Sequence, residues 1–293
     1  MMSIQNLPFF TRIETGERYT MELYLDHANQ RLRIDDYRGN IKTVITRSLA
    51  IAQEHGFTKV ILKARQEDLP AILARGFVLE GLLSKYFNGN DAYCLALYFT
   101  DERRTSDDWM KEDQMIQAVM DLPRVMEKQP LPEGYSLRFA GVDDAHELAS
   151  LYGAIFETYP TPMNDEGYIK KVMEEGTIFS VIQYEGSIVS AASAEVCERY
   201  HHAEMTDCAT IPQQRKHGFM KVLISALEGE LIRKNIYCSY SLARSLSMGM
   251  NAVFHQLGYE YGGRLTKNCN IWDKYEDMNI WAKDLSSASE CFK

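Results

Sequence analysis

The sequence has no basic excess: 32 Lys and Arg stand against 41 Asp and Glu, a formal net charge of −9. That balance disfavours nucleic acid or an anionic membrane as the main partner and suits a small cationic substrate. No apolar run approaches the roughly 20 residues needed to cross a bilayer, so no membrane span is expected. The opening MMSIQNLPFFTRIETG has neither the basic start nor the apolar centre of a signal peptide. The six cysteines (Cys94, Cys197, Cys208, Cys238, Cys269, Cys291) form no C-x-x-C and no metal-ligand spacing. They predict no metal site and fit the reducing cytoplasm. Prolines are few, and the pair Pro130 and Pro132 marks a boundary rather than a scaffold.

What is present is ordinary globular material: 45% hydrophobic and 25% charged residues over 293 positions, enough for one large domain or two average ones. Alternating runs over 17–36 predict a hairpin. IKTVITRSLAIAQEHG predicts a helix with Ile41, Val44, Ile45, Leu49 and Ala52 on one face and Gly56 as its stop. A buried strand TKVILKA, a short helix DLPAILARG and the hairpin FVLEGLLSKYF–NGND–AYCLALYF follow. Residues 101–133 are a charged linker with a helix from Trp109 to Met120. From Tyr135 the order is fuller: strand, two helices, the hairpin IFSVIQY/IVSAASAEV, the strand AEMTDCAT, a long helix, and further strands to 285. LPAILARGFVLEG parallels NAVFHQLGYEYGG, and YFNGNDAYCLALYF parallels IWDKYEDMNIWAKDL, which points to a duplication. The division expected is 1–100, a linker over 101–133, a domain over 134–285, and a tail over 286–293.

The most informative stretch is TDCATIPQQRKHGFMKVLISALE, residues 206–228. It reads as strand, proline, polar turn, Gly218, then a helix burying Met220, Leu223, Ile224, Leu227 and Leu231 on one face. Free amides at a helix start, backed by the helix dipole, hold a phosphate or pyrophosphate. Gly218 allows the backbone to approach it.

Arg215, Lys216, His217, Gly218, Phe219 and Met220 fill the six places of the signature Gln/Arg-x-x-Gly-x-Gly/Ala, and the stretch resembles the acyl-CoA site of the GCN5-related N-acetyltransferase (GNAT) family. Met220 departs from the small residue usual at the last place. The resemblance implies an α/β, layered α+β architecture: a mixed, mostly antiparallel sheet flanked by helices, here preceded by a degenerate GNAT-like half over 1–100. It implies acetyl-CoA as acyl donor. Its pantetheine would run along the backbone of Cys208, Ala209 and Thr210, with Asn251 and Phe254 on the helix where the family also contacts the cofactor. FETYPTPMNDEGYI, TDCATIPQQRKHGFM and FHQLGYEYGGRL together look like the branch of the family that acetylates the terminal amine of β-lysine to a compatible solute.

Acetyl transfer to an amine needs a base, because an ammonium with a pKa of about 10.4 has no lone pair. It also needs a donor for charge developing on the carbonyl oxygen. Glu204 is the first candidate base and Asp207 the second, on the opposite strand face if the strand is regular. Phe254 stands where family members carry a tyrosine acid; a thiolate with a pKa of about 8.5 leaves without one. Cys208 has no activating base beside it, so it is a core thiol and transfer is direct. The loop ETYPTPMNDEGY offers Glu157, Tyr159 and Thr161 to a cationic substrate, and Arg199 could meet a carboxylate. A small diamine or amino acid is the expected partner, and a homodimer is compatible with the sequence. A polyamine, aminoglycoside or protein lysine stays open as acceptor, as does a non-catalytic acyl-CoA sensor.

Overall fold

The structure, a computed structural model, describes residues 9–125, 130–156, 161–271 and 274–287. The first half carries strands β1 (Phe9–Gly16), β2 (Tyr19–Asp26) and β3 (Arg31–Gly39), helix α1 (Ile41–Glu54), β4 (Lys59–Ala64), the short α2 (Leu69–Leu73), β5 (Val78–Phe87) and β6 (Asn90–Tyr98). Helices α3 (Asp101–Arg104) and α4 (Trp109–Met120) connect it to the second half. There follow β7 (Tyr135–Phe139), α5 (Ala145–Ile155), α6 (Glu166–Glu174), β8 (Ile178–Tyr184), β9 (Ser187–Cys197), β10 (His202–Thr210) and α7 (Phe219–Arg233). The chain closes with β11 (Cys238–Arg244), α8 (Met248–Gln256), β12 (Glu260–Ile271) and β13 (Lys274–Asp284). The expected hairpin over 17–36 is the later part of a three-strand meander. β1 is an edge strand with no fully buried residue, so its apolar alternation is weak.

Among the described residues thirteen strands hydrogen-bond into one sheet, in the order β1-β2-β3-β4-β6-β5-β12-β13-β11-β10-β9-β8-β7. Each half has a parallel pair bridged by a helix, β3-α1-β4 and β10-α7-β11, with the remaining pairs antiparallel. Helix α1 buries Val44, Ile45, Ile51 and Ala52 against the first half. Helix α7 buries Phe219, Leu223, Ile224, Leu227 and Leu231 against the second. Each such Val, Ile, Leu or Phe side chain stabilises by about 1.5–3 kcal/mol, which fixes both helices on the sheet. Glu228 lies on the same buried face of α7, and Lys283 contacts both its oxygens at 2.9 and 2.8 Å.

The halves meet at β5 and β12, antiparallel, with Gly81 opposite Gly263. A Cβ on Gly81 would sit 2.6 Å from the Gly262 carbonyl oxygen, and Gly263 has φ +128°, so neither tolerates a side chain. These two glycines are equivalent in the repeat: the offset 263 − 81 also separates Leu79 from Tyr261, Leu83 from Leu265 and Phe87 from Cys269. Those residues bound the register shifts in β5 and in β12. The same offset relates Lys85 to Lys267 and Gly76 to Gly258, all four at positive φ. Equivalent residues therefore contact each other across the junction, the hallmark of a two-fold interface.

Candidate active site

The sequence from 211 onward folds as a turn because Pro212 starts a short 3-10 turn (Pro212–Gln214) and Lys216 and Gly218 both take positive φ, +73° and +74°. Gly218 caps α7 without any side chain, and no acidic residue stands in the first helical turn. The amides at the start of α7 thus have no side-chain cap, and Arg215, Lys216 and His217 precede them in the turn. His217 stacks on Phe219 at 5.2 Å, which holds the turn against the helix.

Behind this turn the sheet opens. β10 and β11 pair only from His202 to Glu204 opposite Cys238 to Tyr240. Beyond that point they splay, bridged by the Ser241 hydroxyl donating to the Met205 carbonyl at 2.7 Å. A cavity of about 420 Å³ fills the splay, lined by Thr206, Cys208, Arg215, Ala243, Ser247 and Phe254 among others. Splayed strands leave unpaired backbone groups that an extended ligand can engage. A cavity of equal volume beside Lys85, His201 and Tyr237 has neither splay nor helix start, so size does not select the site.

A second groove, about 250 Å³ and at the small end for metabolite sites, shares Thr206, Asp207, Leu242, Ile271 and Met278 with the first cavity. One wall carries Glu195, Glu204 and Asp207, and the other Arg31, Arg33 and Lys63. Tyr240 donates to Glu204 Oε2 at 2.9 Å, and Ser193 donates to Asp207 Oδ2 at 2.6 Å. Burial holds the Tyr240 phenol far above its ordinary value, with Glu204 adding to the effect, so it stays a donor. The Glu195 carboxyl is pushed up to about 8 by the protein around the groove and by the charges of Glu204 and Asp207. Its side chain opens to solvent, which discounts the effect of the walls; the like charges are the firmer cause.

The structure brings Glu204, Asp207 and Thr161 into this groove. It corrects the expectation that Asp207 faces away from Glu204. A bulge in β10 between Thr206 and Ala209, with Asp207 at φ +48°, inserts an extra residue and turns Asp207 back. Cys208 and Phe254 line the cavity in the splay and Ala209 and Thr210 continue the strand beside it. Burial, with Asp207 behind it, pushes the Cys208 thiol well above its ordinary value, which makes it a poor nucleophile. Arg215 lines the cavity, and Lys216, His217, Gly218, Phe219 and Met220 form the turn and helix start.

Asn251 does not reach the cavity. Its amide donates to the carbonyls of Arg244 and Ser247, and its oxygen accepts from Asn279 and from the Trp281 indole at 2.9 and 2.8 Å. With two donors and two acceptor sites used, it has nothing left for a cofactor and instead ties α8 to β13. Arg199 is likewise outside the groove: it pairs with Glu22 and, at 3.1 Å, with Asp36. Glu157 and Tyr159 lie outside the described residues. The sequence reading missed Arg33, Lys63, Tyr168, Glu195 and Tyr240 as groove residues. Glu195, an acid inside the otherwise apolar AASAEV, was the one local signal.

Among the described residues no cluster of His, Cys, Asp and Glu could hold a metal ion, and no helix is long and apolar enough to cross a membrane. Residues 145–259 match the model of the acetyltransferase (GNAT) family, and the chain belongs to that family and is an N-acetyltransferase. The family's acyl donor is acetyl-CoA. The chain is 38% identical over 263 residues to the N-acetyltransferase YodP of Bacillus subtilis (strain 168), covering 89% of this chain and 95% of that protein. It is 36% identical to the β-lysine N(6)-acetyltransferase of Methanosarcina mazei, over 85% of this chain and all of that protein. The corresponding enzyme of Methanococcus maripaludis is 30% identical over 89% of this chain and 95% of its own length.

Proposed function

We propose that this enzyme transfers the acetyl group of acetyl-CoA to the terminal amine of β-lysine, (3S)-3,6-diaminohexanoate, directly within a ternary complex. The observation that carries the reading is the shared boundary between the two cavities at Thr206 and Asp207. A thioester lying in the splay and an amine lying in the acidic groove would meet there. The names and coverage of the two archaeal relatives support β-lysine as the acceptor.

In this reading the diphosphate rests on the amides from Gly218 onward, with Arg215 and Lys216 beside it. The pantetheine runs along Cys208, Ala209 and Thr210. The splay and the uncapped helix start both fit such a ligand. Acetyl-CoA, when bound, supplies an activated carbonyl carbon. Glu204 draws the proton from the acceptor ammonium, through one water where it does not reach directly, and Asp207 holds the amine in place. The new C–N bond forms as the C–S bond breaks. The departing thiolate, with a pKa of about 8.5, needs no tyrosine at the place of Phe254. Thr161 completes the acceptor side. Acetylation removes one positive charge and leaves a neutral zwitterion, the charge state suited to a compatible solute. We place the reaction in the cytoplasm, the reducing compartment that suits the five free cysteines of the described residues. The first half is read as a decayed copy of the acetyltransferase domain.

The test is to mix enzyme, acetyl-CoA and a panel of amines and follow free thiol. Turnover of β-lysine with the acetyl group on N6 is expected. Preference for spermidine would overturn the acceptor assignment, and CoA binding without turnover of any amine would make the protein a sensor.

A further inference from the structure

The groove is bipolar, and its two walls come from different halves. β3 and β4 are far from β9 and β10 in the strand order, yet all four line the same space. The curl that brings them together is fastened by contacts between the halves. Arg31 donates to the Asn268 carbonyl at 2.8 Å, Lys59 to the Thr266 carbonyl at 2.7 Å, and Tyr86 stacks on His202 at 3.9 Å.

The register identifies which residues correspond. In the first half Arg33 pairs with Ile61, Ile61 with Ala96, and Ala96 with Val78. In the second, Glu204 pairs with Tyr240, Tyr240 with Ala282, and Ala282 with Glu260. Val78 and Glu260 differ by the repeat offset, so Arg33 occupies the position of Glu204. The candidate base of one half and an arginine of the other thus face a single groove across the two-fold.

Arg33 is prepared for an anion. Asp35 takes its Nε and Nη2 at 3.2 and 2.8 Å, leaving the Nη1 side, and the guanidinium lies 4.4 Å over the Tyr24 ring. Burial works against its charge, but Asp35, Tyr24 and Glu204 together hold it protonated. Lys63 shares the same Asp35 at 3.0 Å and receives support from the Tyr86 hydroxyl at 2.8 Å. Two cations on one carboxylate leave a positive surplus on this wall, which faces Glu204 and Glu195 across the groove. The third cation, Arg31, is already matched by Asp26 at 2.8 Å.

We propose that Arg33, supported by Lys63 and Tyr24, is the subsite for the acceptor's carboxylate. The first half would then supply half of the acceptor site rather than persist as a scaffold, and the acceptor would be an amino acid and not a plain polyamine. A guanidinium reads a carboxylate by geometry as well as charge, while the opposite acidic wall takes the ammonium groups. This rests on the acetyl-transfer reading of the groove, and it names the group that sets acceptor class.

The experiment compares kcat/KM for β-lysine, its carboxamide and 1,4-diaminopentane, which lacks the carboxylate, in wild type and R33M. Wild type should favour β-lysine over both analogues by about 10- to 150-fold, the size of one charge-assisted contact. R33M should lose that factor mainly through KM and collapse the preference. Its acetyl-CoA affinity should match wild type, because Arg33 does not line the donor cavity. Equal use of acid and carboxamide by wild type, or equal losses on acid and diamine in R33M, would overturn the proposal. If lysine or ornithine replaces β-lysine as acceptor, the substrate assignment fails while the same ratio still reads Arg33. Turnover of polyamines alone would overturn both.

Discussion

Between β3 and α1 the helix start is closed: the Asn40 side chain accepts from the amides of Lys42 and Thr43 at 3.0 and 3.2 Å. Between β10 and α7 the cap is Gly218, which has nothing to offer those amides. The strands behind the two turns differ in the same sense. β3 and β4 stop pairing after Ile34 and Leu62, but the gap is stitched by side chains. Arg65 donates to the Tyr37 carbonyl at 3.2 Å and to Asp36 at 2.8 Å, and Tyr37 donates to Asp68 at 2.7 Å. β10 and β11 stop after Glu204 and Tyr240, and a cavity occupies the gap. One topology therefore gives a filled seam in one half and an open cavity in the other. A few local side chains decide which.

The largest effect that separates the halves should come from removing the candidate base. E204Q is expected to lower kcat by about 10²–10⁴-fold, mostly below pH 9, where the amine arrives protonated. An unchanged pH profile would rule out Glu204 as base. The equivalent change in the first half, at Arg33, should instead act on KM.

N251A comes next. It leaves the Trp281 indole and the Asn279 amide without their acceptor, at a cost of about 1–3 kcal/mol in unfolding free energy. Urea denaturation should show that loss, with the acetyl-CoA Kd little changed. A weaker Kd at full stability would return Asn251 to the cofactor.

N40A tests the closed turn. Loss of a helix cap costs about 1 kcal/mol, so the midpoint of denaturation should fall while turnover stays at wild-type level. A loss of turnover in excess of the loss of folded protein would mean the first turn takes part in catalysis.

The smallest effect is at Glu195. Because its carboxyl is raised above its ordinary value in the folded protein by its surroundings and by the charges of Glu204 and Asp207, its contribution to stability is present at low pH and lost as pH rises through that raised value. E195Q should therefore raise Tm relative to wild type at pH 9 and not at pH 4. Equal Tm differences at both pH values would show that its carboxyl is not raised.

What could be read from the sequence was local. The strand, proline, Gly218 and amphipathic helix lie within one stretch of chain, so propensity and spacing were enough to place the turn and the helix that starts from it. The pairing of Glu204 with Arg33 could not be read, because it depends on a thirteen-strand sheet curling back on itself. The Asp207 bulge was hidden for another reason: a non-glycine residue at positive φ leaves no mark in the sequence. The bracing of Asn251 between α8 and β13 is not legible locally, because its buried partners, Trp281 and Asn279, lie some thirty residues downstream. The repeat was visible in two fragments, yet its meaning, a two-fold placed at Gly81 and Gly263, needed the strand register.

The most direct measurement is a calorimetric titration of acetyl-CoA into wild type and G218D. An aspartate tolerates the left-handed backbone at this position and sets a negative charge where the diphosphate should lie. Wild type should bind one equivalent, and G218D should bind at least tenfold more weakly while remaining folded. Two equivalents in wild type, or undiminished affinity in G218D, would contradict the assignment of the open turn as the donor site.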